Sequence, residues 1–113
     1  MVHLFLYGTL KRGGLAHHLM DGQQFQGEVK SAPRFRLYDC GPYPGLVEDE
    51  AGIAIEGELW LIDESILPDL DKYEGDRLFE RKEIQLEDGR TALAYLYLRD
   101  VAGLPDCGSK WQV

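Results

Sequence analysis

Ser65-Ile66-Leu67-Pro68-Asp69-Leu70-Asp71-Lys72-Tyr73-Glu74-Gly75 is the one clear helical pattern in this chain, and it decides the fold class because most of the chain around it reads as strand. At about 100° per residue, Ile66, Leu67, Leu70 and Tyr73 fall on one apolar stripe. Ser65 suits the N-cap, Pro68 is tolerated in the first turn where its missing amide has no partner, and Gly75 is a natural stop. Glu74, four residues after Leu70, lies inside the stripe, so a carboxylate is aimed at the core. Burial raises the pKa of such a group, and the negative end of the helix dipole acts in the same direction. A Glu that holds a proton near neutral pH is what general acid/base catalysis requires.

Outward from this helix, the pattern is β. Val2 to Tyr7 is an apolar run that Gly8 ends, and Lys11-Arg12-Gly13-Gly14 is a loop before a short helix over Leu15 to Met20, stopped by Gly22. Gly27 to Ala32 and Phe35 to Cys40 read as strands parted by Pro33. Gly41-Pro42-Tyr43-Pro44-Gly45 is expected to be a rigid loop outside any ladder, because proline lacks the amide donor. Ile53 to Ile62 alternates as a long strand, with Ile53, Ile55, Gly57, Leu59 and Leu61 on one side. Phe79 to Leu86 and Thr91 to Leu98 flank Glu87-Asp88-Gly89-Arg90, a hairpin turned by Asp-Gly. The tail from Ala102 to Val113 has no clear pattern.

The 113 residues, 44% of them hydrophobic, suffice for one core, and a single domain over residues 1–113 is expected. Twenty Asp and Glu against twelve Lys and Arg give a net charge of −8, with the basic residues scattered, which argues against a nucleic-acid partner. The longest apolar runs fall far short of the ~20 residues that cross a bilayer, and no secretory pattern opens the chain, so a cytoplasmic protein without a membrane partner is expected. Cys40 and Cys107 have neither zinc-site spacing nor the density of a disulfide scaffold. His3, His17 and His18 form no ligand set, and no metal is expected.

The ordered set Tyr7-Gly8-Thr9-Leu10-Lys11, Gly27-Glu28, Tyr43-Pro44-Gly45-Leu46-Val47, Gly57-Glu58-Leu59, Leu70-Asp71-Lys72-Tyr73-Glu74-Gly75 and Glu80-Arg81 resembles the gamma-glutamylcyclotransferase-like family over nearly the whole chain. More narrowly, it is similar to the small members grouped with gamma-glutamylamine cyclotransferase. The resemblance implies an α+β fold, a compact mixed β-barrel with short flanking helices, and a cavity between the Tyr-Gly-Thr-Leu loop and the helix bearing the Glu. It implies a small-molecule γ-glutamyl substrate whose α-amine attacks its own γ-carbonyl, releasing an amine and 5-oxoproline. Glu74 matches the family's catalytic Glu. Substrate-binding contacts are implied for Tyr7, Gly8, Thr9 and Leu10, whose backbone donors hold the glutamyl end, and for Pro44 and Gly45.

Such a reaction needs few parts. Nucleophile and electrophile are tethered, so a fold that holds the substrate bent supplies proximity, and one group shuttles a proton; no cofactor is called for. The chain departs from many family members at Phe79, where they carry Tyr, and in the charged segment Gly75-Asp76-Arg77-Leu78. The leaving amine is open among the lysine of a γ-glutamyl-ε-lysine isopeptide, another primary amine and a γ-glutamyl-protected intermediate. A non-catalytic small-ligand binder and an interaction module with a vestigial cavity are the alternatives to an enzyme. Glu74 on the apolar face weighs against both, since a buried carboxylate without work costs stability.

Overall fold

The computed structural model describes residues 1–113. Seven strands and one α-helix run in the order β1 (Val2–Leu6), β2 (Gln24–Lys30), β3 (Phe35–Asp39), β4 (Pro44–Glu48), β5 (Glu56–Ile62), α1 (Leu67–Glu74), β6 (Phe79–Gln85) and β7 (Thr91–Tyr97), with 3-10 turns at His17–Met20 and Glu64–Ile66. Five strands form a sheet in the order β2-β5-β1-β7-β6, and β3 and β4 form a separate hairpin. β1 is antiparallel to β5, from Val2↔Ile62 to Leu6↔Glu58, and parallel to β7 at Leu4↔Leu93. No helix is long and apolar enough to cross a membrane.

β1 is central because both of its faces are apolar. Phe5 and Tyr7 join Phe35, Leu37, Leu46 and Leu96 in one buried cluster, which places the β3-β4 hairpin over that face. Leu4 and Leu6 join Trp60, Leu67, Leu70 and Tyr95 in a second cluster, which places α1 over the other. Complete burial of side chains the size of Leu4, Leu37, Leu46 and Leu70 is worth ~1.5–3 kcal/mol each, which is what holds a helix of eight residues that is too short to stand alone.

The mixed α+β class is as expected, but a continuous closed barrel is not formed. The edge strands β2 and β6 meet only through the Ser31↔Leu86 bridge, where the Ala32 amide donates to the Gln85 carbonyl and that of Glu87 to the Lys30 carbonyl, each at 2.9 Å. The sheet curls until its two edges touch at one end.

Other expectations need correction. Pro44 is not outside the ladder: it opens β4 opposite Asp39, the first-residue position where a missing amide interrupts nothing. The 3-10 turn before α1 is capped by Asp63, whose carboxylate accepts the Ser65 amide at 2.9 Å; Ser65 is not the cap. The helix expected over Leu15 to Met20 is only the 3-10 turn from His17. β5 begins at Glu56, with Ile53 kept in register by a single bridge to Phe35, and it buries Trp60 and Ile62 as well as Leu59. The tail is tied down: the Cys107 amide donates to the Leu37 carbonyl at 2.8 Å, and Trp111 packs on the core.

Candidate active site

The loop after β1, the start of β4, the end of α1 and β7 converge on a small pocket lined by Phe5 through Leu10, Tyr43, Pro44, Glu74 and Tyr95. Its free volume is about 20 Å³, room for roughly one water. A ligand of more than a few atoms enters only when one wall moves.

Glu74 is the last residue of α1. Gly75 ends the helix at φ +86°, a conformation that side chains rarely adopt, and its amide closes the last turn on the Asp71 carbonyl at 2.9 Å. Burial, with no compensating ion pair, raises the Glu74 carboxyl from 4.5 to about 7. At neutral pH the group is close to half protonated and can both take and give a proton.

Facing it, the Tyr7 hydroxyl donates to the Tyr95 main-chain carbonyl. Burial, and then the negative charge of Glu74, push the Tyr7 phenol well above its ordinary value, so Tyr7 stays neutral. The loop amides of Gly8, Thr9 and Leu10 donate to no main-chain carbonyl, whereas the Lys11 amide turns back to the Gly8 carbonyl at 3.1 Å. Three backbone donors of this pocket-lining stretch therefore have no acceptor within the chain. Gly8 is not in the left-handed region; a Cβ there would stand 2.8 Å from Cγ of Pro44, so glycine is required by the close approach of that ring.

Of the residues singled out from sequence, Tyr7, Gly8, Thr9, Leu10, Pro44 and Glu74 line the pocket. Gly45 does not: it is the seat of the Tyr97 ring, 2.8 Å from where its Cβ would be. Tyr73 is 44% exposed, not part of the buried stripe, and its hydroxyl meets Thr9 Oγ1 at 2.8 Å. Phe79 is buried between the Tyr43 and Tyr97 rings, at centroid distances of 5.7 and 5.4 Å, so a hydroxyl is absent from an aromatic stack.

Sequence reasoning left Asp71, Arg81 and Tyr95 without a role. The Tyr95 hydroxyl donates to Asp71 Oδ1 at 2.7 Å, and Arg81 Nη1 donates to both Asp71 oxygens at 2.9 and 2.8 Å. Burial, and then Asp71 as acceptor, hold the Tyr95 phenol neutral. The available signal was the spacing of Asp71 and Glu74, one turn apart on the same helix.

A second, wider groove of about 650 Å³ lies over Lys11, Arg12, Glu28, Lys30, Glu56 and Glu58. Its charges answer one another: Arg12 donates to Glu58 at 3.0 Å, lies 3.7 Å from Glu28 and covers the Phe25 ring. His17 bonds the Leu10 carbonyl through Nδ1 at 2.9 Å and packs edge-on to Trp60, a structural use of the ring.

The sequence profile described as gamma-glutamyl cyclotransferase, AIG2-like, matches residues 4–112. A Vibrio cholerae protein provisionally named a gamma-glutamylcyclotransferase is 38% identical over 98 residues, covering 86% of this chain and 84% of that one. Rat gamma-glutamylaminecyclotransferase is 34% identical over 95 residues, 76% of this chain and 64% of its own. The crystal structure of a mouse AIG2-like protein aligns with a TM-score of 0.84 at 28% identity, over 96% of this chain and 87% of that chain. With a profile that runs from the middle of β1 to the residue after Trp111, the chain belongs to the gamma-glutamyl cyclotransferase, AIG2-like family.

Proposed function

We propose that this protein is a cyclotransferase acting on a γ-glutamyl amine or γ-glutamyl-amino acid, with Glu74 as general acid/base. The observation that carries the reading is a single carboxyl raised to about 7 by partial burial, half-buried in the pocket without a counter-ion and beside a loop with three uncommitted amides.

In the proposed reaction the glutamyl end lies against the Gly8 to Leu10 amides, next to Tyr7 and Pro44. Ionised Glu74 takes a proton from the substrate α-ammonium. The freed amine attacks the γ-carbonyl, forming the ring N–C bond and placing negative charge on oxygen, which backbone amides stabilise. Glu74 then returns that proton to the departing nitrogen as the original amide C–N bond breaks, and the second proton, which the attacking nitrogen loses as it becomes the lactam N–H, leaves with the amine as its ammonium ion. The products are 5-oxoproline and the free amine, and the carboxylate is regenerated with no net proton uptake. Tethering of the nucleophile supplies the proximity that a two-substrate enzyme must build.

The test is release of 5-oxoproline from a panel of γ-glutamyl amines, isopeptides and dipeptides, by wild type and by Glu74→Gln. Turnover on at least one compound, reduced by ~10²-fold or more in the variant under saturating substrate, supports the reading. No turnover across the panel refutes the activity, and a variant that keeps more than about a tenth of kcat removes Glu74 from the proton-transfer role.

A further inference from the structure

Tyr95 does two things at once. Its main-chain carbonyl accepts the Tyr7 hydroxyl, and its own hydroxyl donates to Asp71 Oδ1 at 2.7 Å. One residue of β7 thus holds Tyr7 by its backbone and α1 by its side chain. Asp71 is held from a second direction by Arg81, which stands directly across the ladder from Tyr95 in the β6-β7 pair. The Asp71 carbonyl in turn receives the Gly75 amide that closes the turn carrying Glu74.

This matters because α1 has eight residues, and only Leu67 and Leu70 of it are buried. Both lie in the first half, so the hydrophobic anchor stops before the turn that presents Glu74. Isolated helices of this length fray. The polar contacts of Asp71 are what tie the second half of the helix to the sheet, apart from the exposed Thr9 to Tyr73 bond.

We propose that Asp71 is a positioning residue which, through Tyr95 and Arg81, fixes the last turn of α1 so that the half-buried Glu74 carboxyl stays held against the Tyr7 side of the pocket. The catalytic consequence rests on the reading of Glu74 as general acid/base; the burial itself does not. Asp71 touches no reacting atom, and its carboxylate is spent on Tyr95 and Arg81. A misplacement of about 1 Å at a reacting group costs ~10²-fold in rate, so a loosened turn lowers kcat even with substrate bound. It also lets water reach Glu74, which moves the carboxyl back toward its ordinary value.

The titratable groups around Glu74 are Tyr7 and Tyr43 from the loops after β1 and before β4, and Tyr95 from β7. On its own helix there are Tyr73 and Asp71, with Arg81 of β6 behind Asp71. Burial is the cause of the raised Glu74 value, so its titration reports on water access to the pocket.

The experiment follows the Glu74 titration by carboxyl ¹³C NMR, assigned with Glu74→Gln, in wild type, Tyr95→Phe and Asp71→Asn. Tyr95→Phe keeps both the ring and the main-chain carbonyl that Tyr7 uses. The expected result is a wild-type midpoint near 7 that drops by at least about one pH unit in each variant. In the turnover assay kcat drops at least about tenfold while KM changes less than about threefold, and the double variant loses no more than the worse single one. Unchanged midpoints in variants that still unfold cooperatively overturn the proposal, as does a wild-type midpoint near 4.5. Additive losses in the double variant also overturn it, since they show two independent effects. A wild type without turnover refutes the cyclotransferase reading, and the NMR midpoints still decide the positioning role.

Discussion

Thr9 and Tyr73 are joined hydroxyl to hydroxyl at 2.8 Å, a bond that links the loop after β1 to α1 directly beside the pocket. Thr9 lines the pocket and Tyr73 precedes Glu74, so the two walls that must part to admit a substrate are tied by this exposed contact. Tyr73→Phe removes the tie and leaves the ring. Such a bond contributes ~0.5–1 kcal/mol, so the melting temperature is expected to move only a few degrees. KM for the best substrate falls by up to about fivefold, because less work opens the pocket. Steady-state kinetics with a thermal melt checks both; an unchanged KM shows that opening does not use this contact.

Glu74 makes stability depend on pH in a direction opposite to most carboxylates. Its folded value, about 7, lies above the unfolded one near 4.5, so the folded state binds the proton more tightly. Its contribution is most favourable below about pH 4.5 and is lost as pH rises through 7. The shift corresponds to ~3 kcal/mol between the two limits. Glu74→Gln cannot ionise, so its stability relative to wild type is expected to improve by up to ~3 kcal/mol from pH 4.5 to pH 8. Urea unfolding of both proteins across that range checks it, and parallel curves contradict a buried carboxyl.

Gly8→Ala is expected to destabilise the fold by ~1–3 kcal/mol and to raise KM, because the new methyl meets the Pro44 ring at 2.8 Å and both residues line the pocket. The backbone angle of Gly8 asks nothing special, so the clash is the whole effect. Pro44→Ala in the same chain relieves it. Thermal melts of the two single variants and the double variant decide the matter; a double variant no more stable than Gly8→Ala rules out the steric explanation.

Turnover is expected to survive exhaustive chelation and to need no added cofactor. His17 is committed to the Leu10 carbonyl, the chain brings no three His, Cys, Asp or Glu side chains into a ligating group, and the proposed chemistry needs one proton carrier and backbone donors. Activity that disappears with a chelator and returns with one divalent metal contradicts this.

The parts of the fold that could be read from sequence are those fixed by neighbours in the chain. The Asp88-Gly89 turn, the stop at Gly75 and the doubly apolar β1 follow from local chemistry, and each stands where it was expected. Glu74 is read in part: helical spacing carries it to the pocket side, where it is half-buried rather than in the core. What failed depends on distant partners. Tyr73 has the spacing of a core residue, yet a hydroxyl sixty-four positions away takes it outward. Pro44 suits a strand because its pairing begins at that residue, which composition does not reveal. Asp71 and Tyr95, twenty-four positions apart, meet only once β7 has paired, so the local spacing of Asp71 and Glu74 says nothing of Tyr95.

The Lys11 ammonium, almost wholly buried, donates to the Trp111 carbonyl at 2.8 Å, one hundred positions later in the chain. Lys11 directly follows the Tyr7 to Leu10 stretch, and β1 itself waits for β5 and β7. During synthesis, then, this stretch emerges a hundred residues before the carbonyl that its lysine needs. Until residue 111 has emerged, the Lys11 ammonium lacks its carbonyl acceptor. A ribosome that stalls before Tyr95 leaves a polypeptide carrying Glu74 but lacking one wall of the pocket.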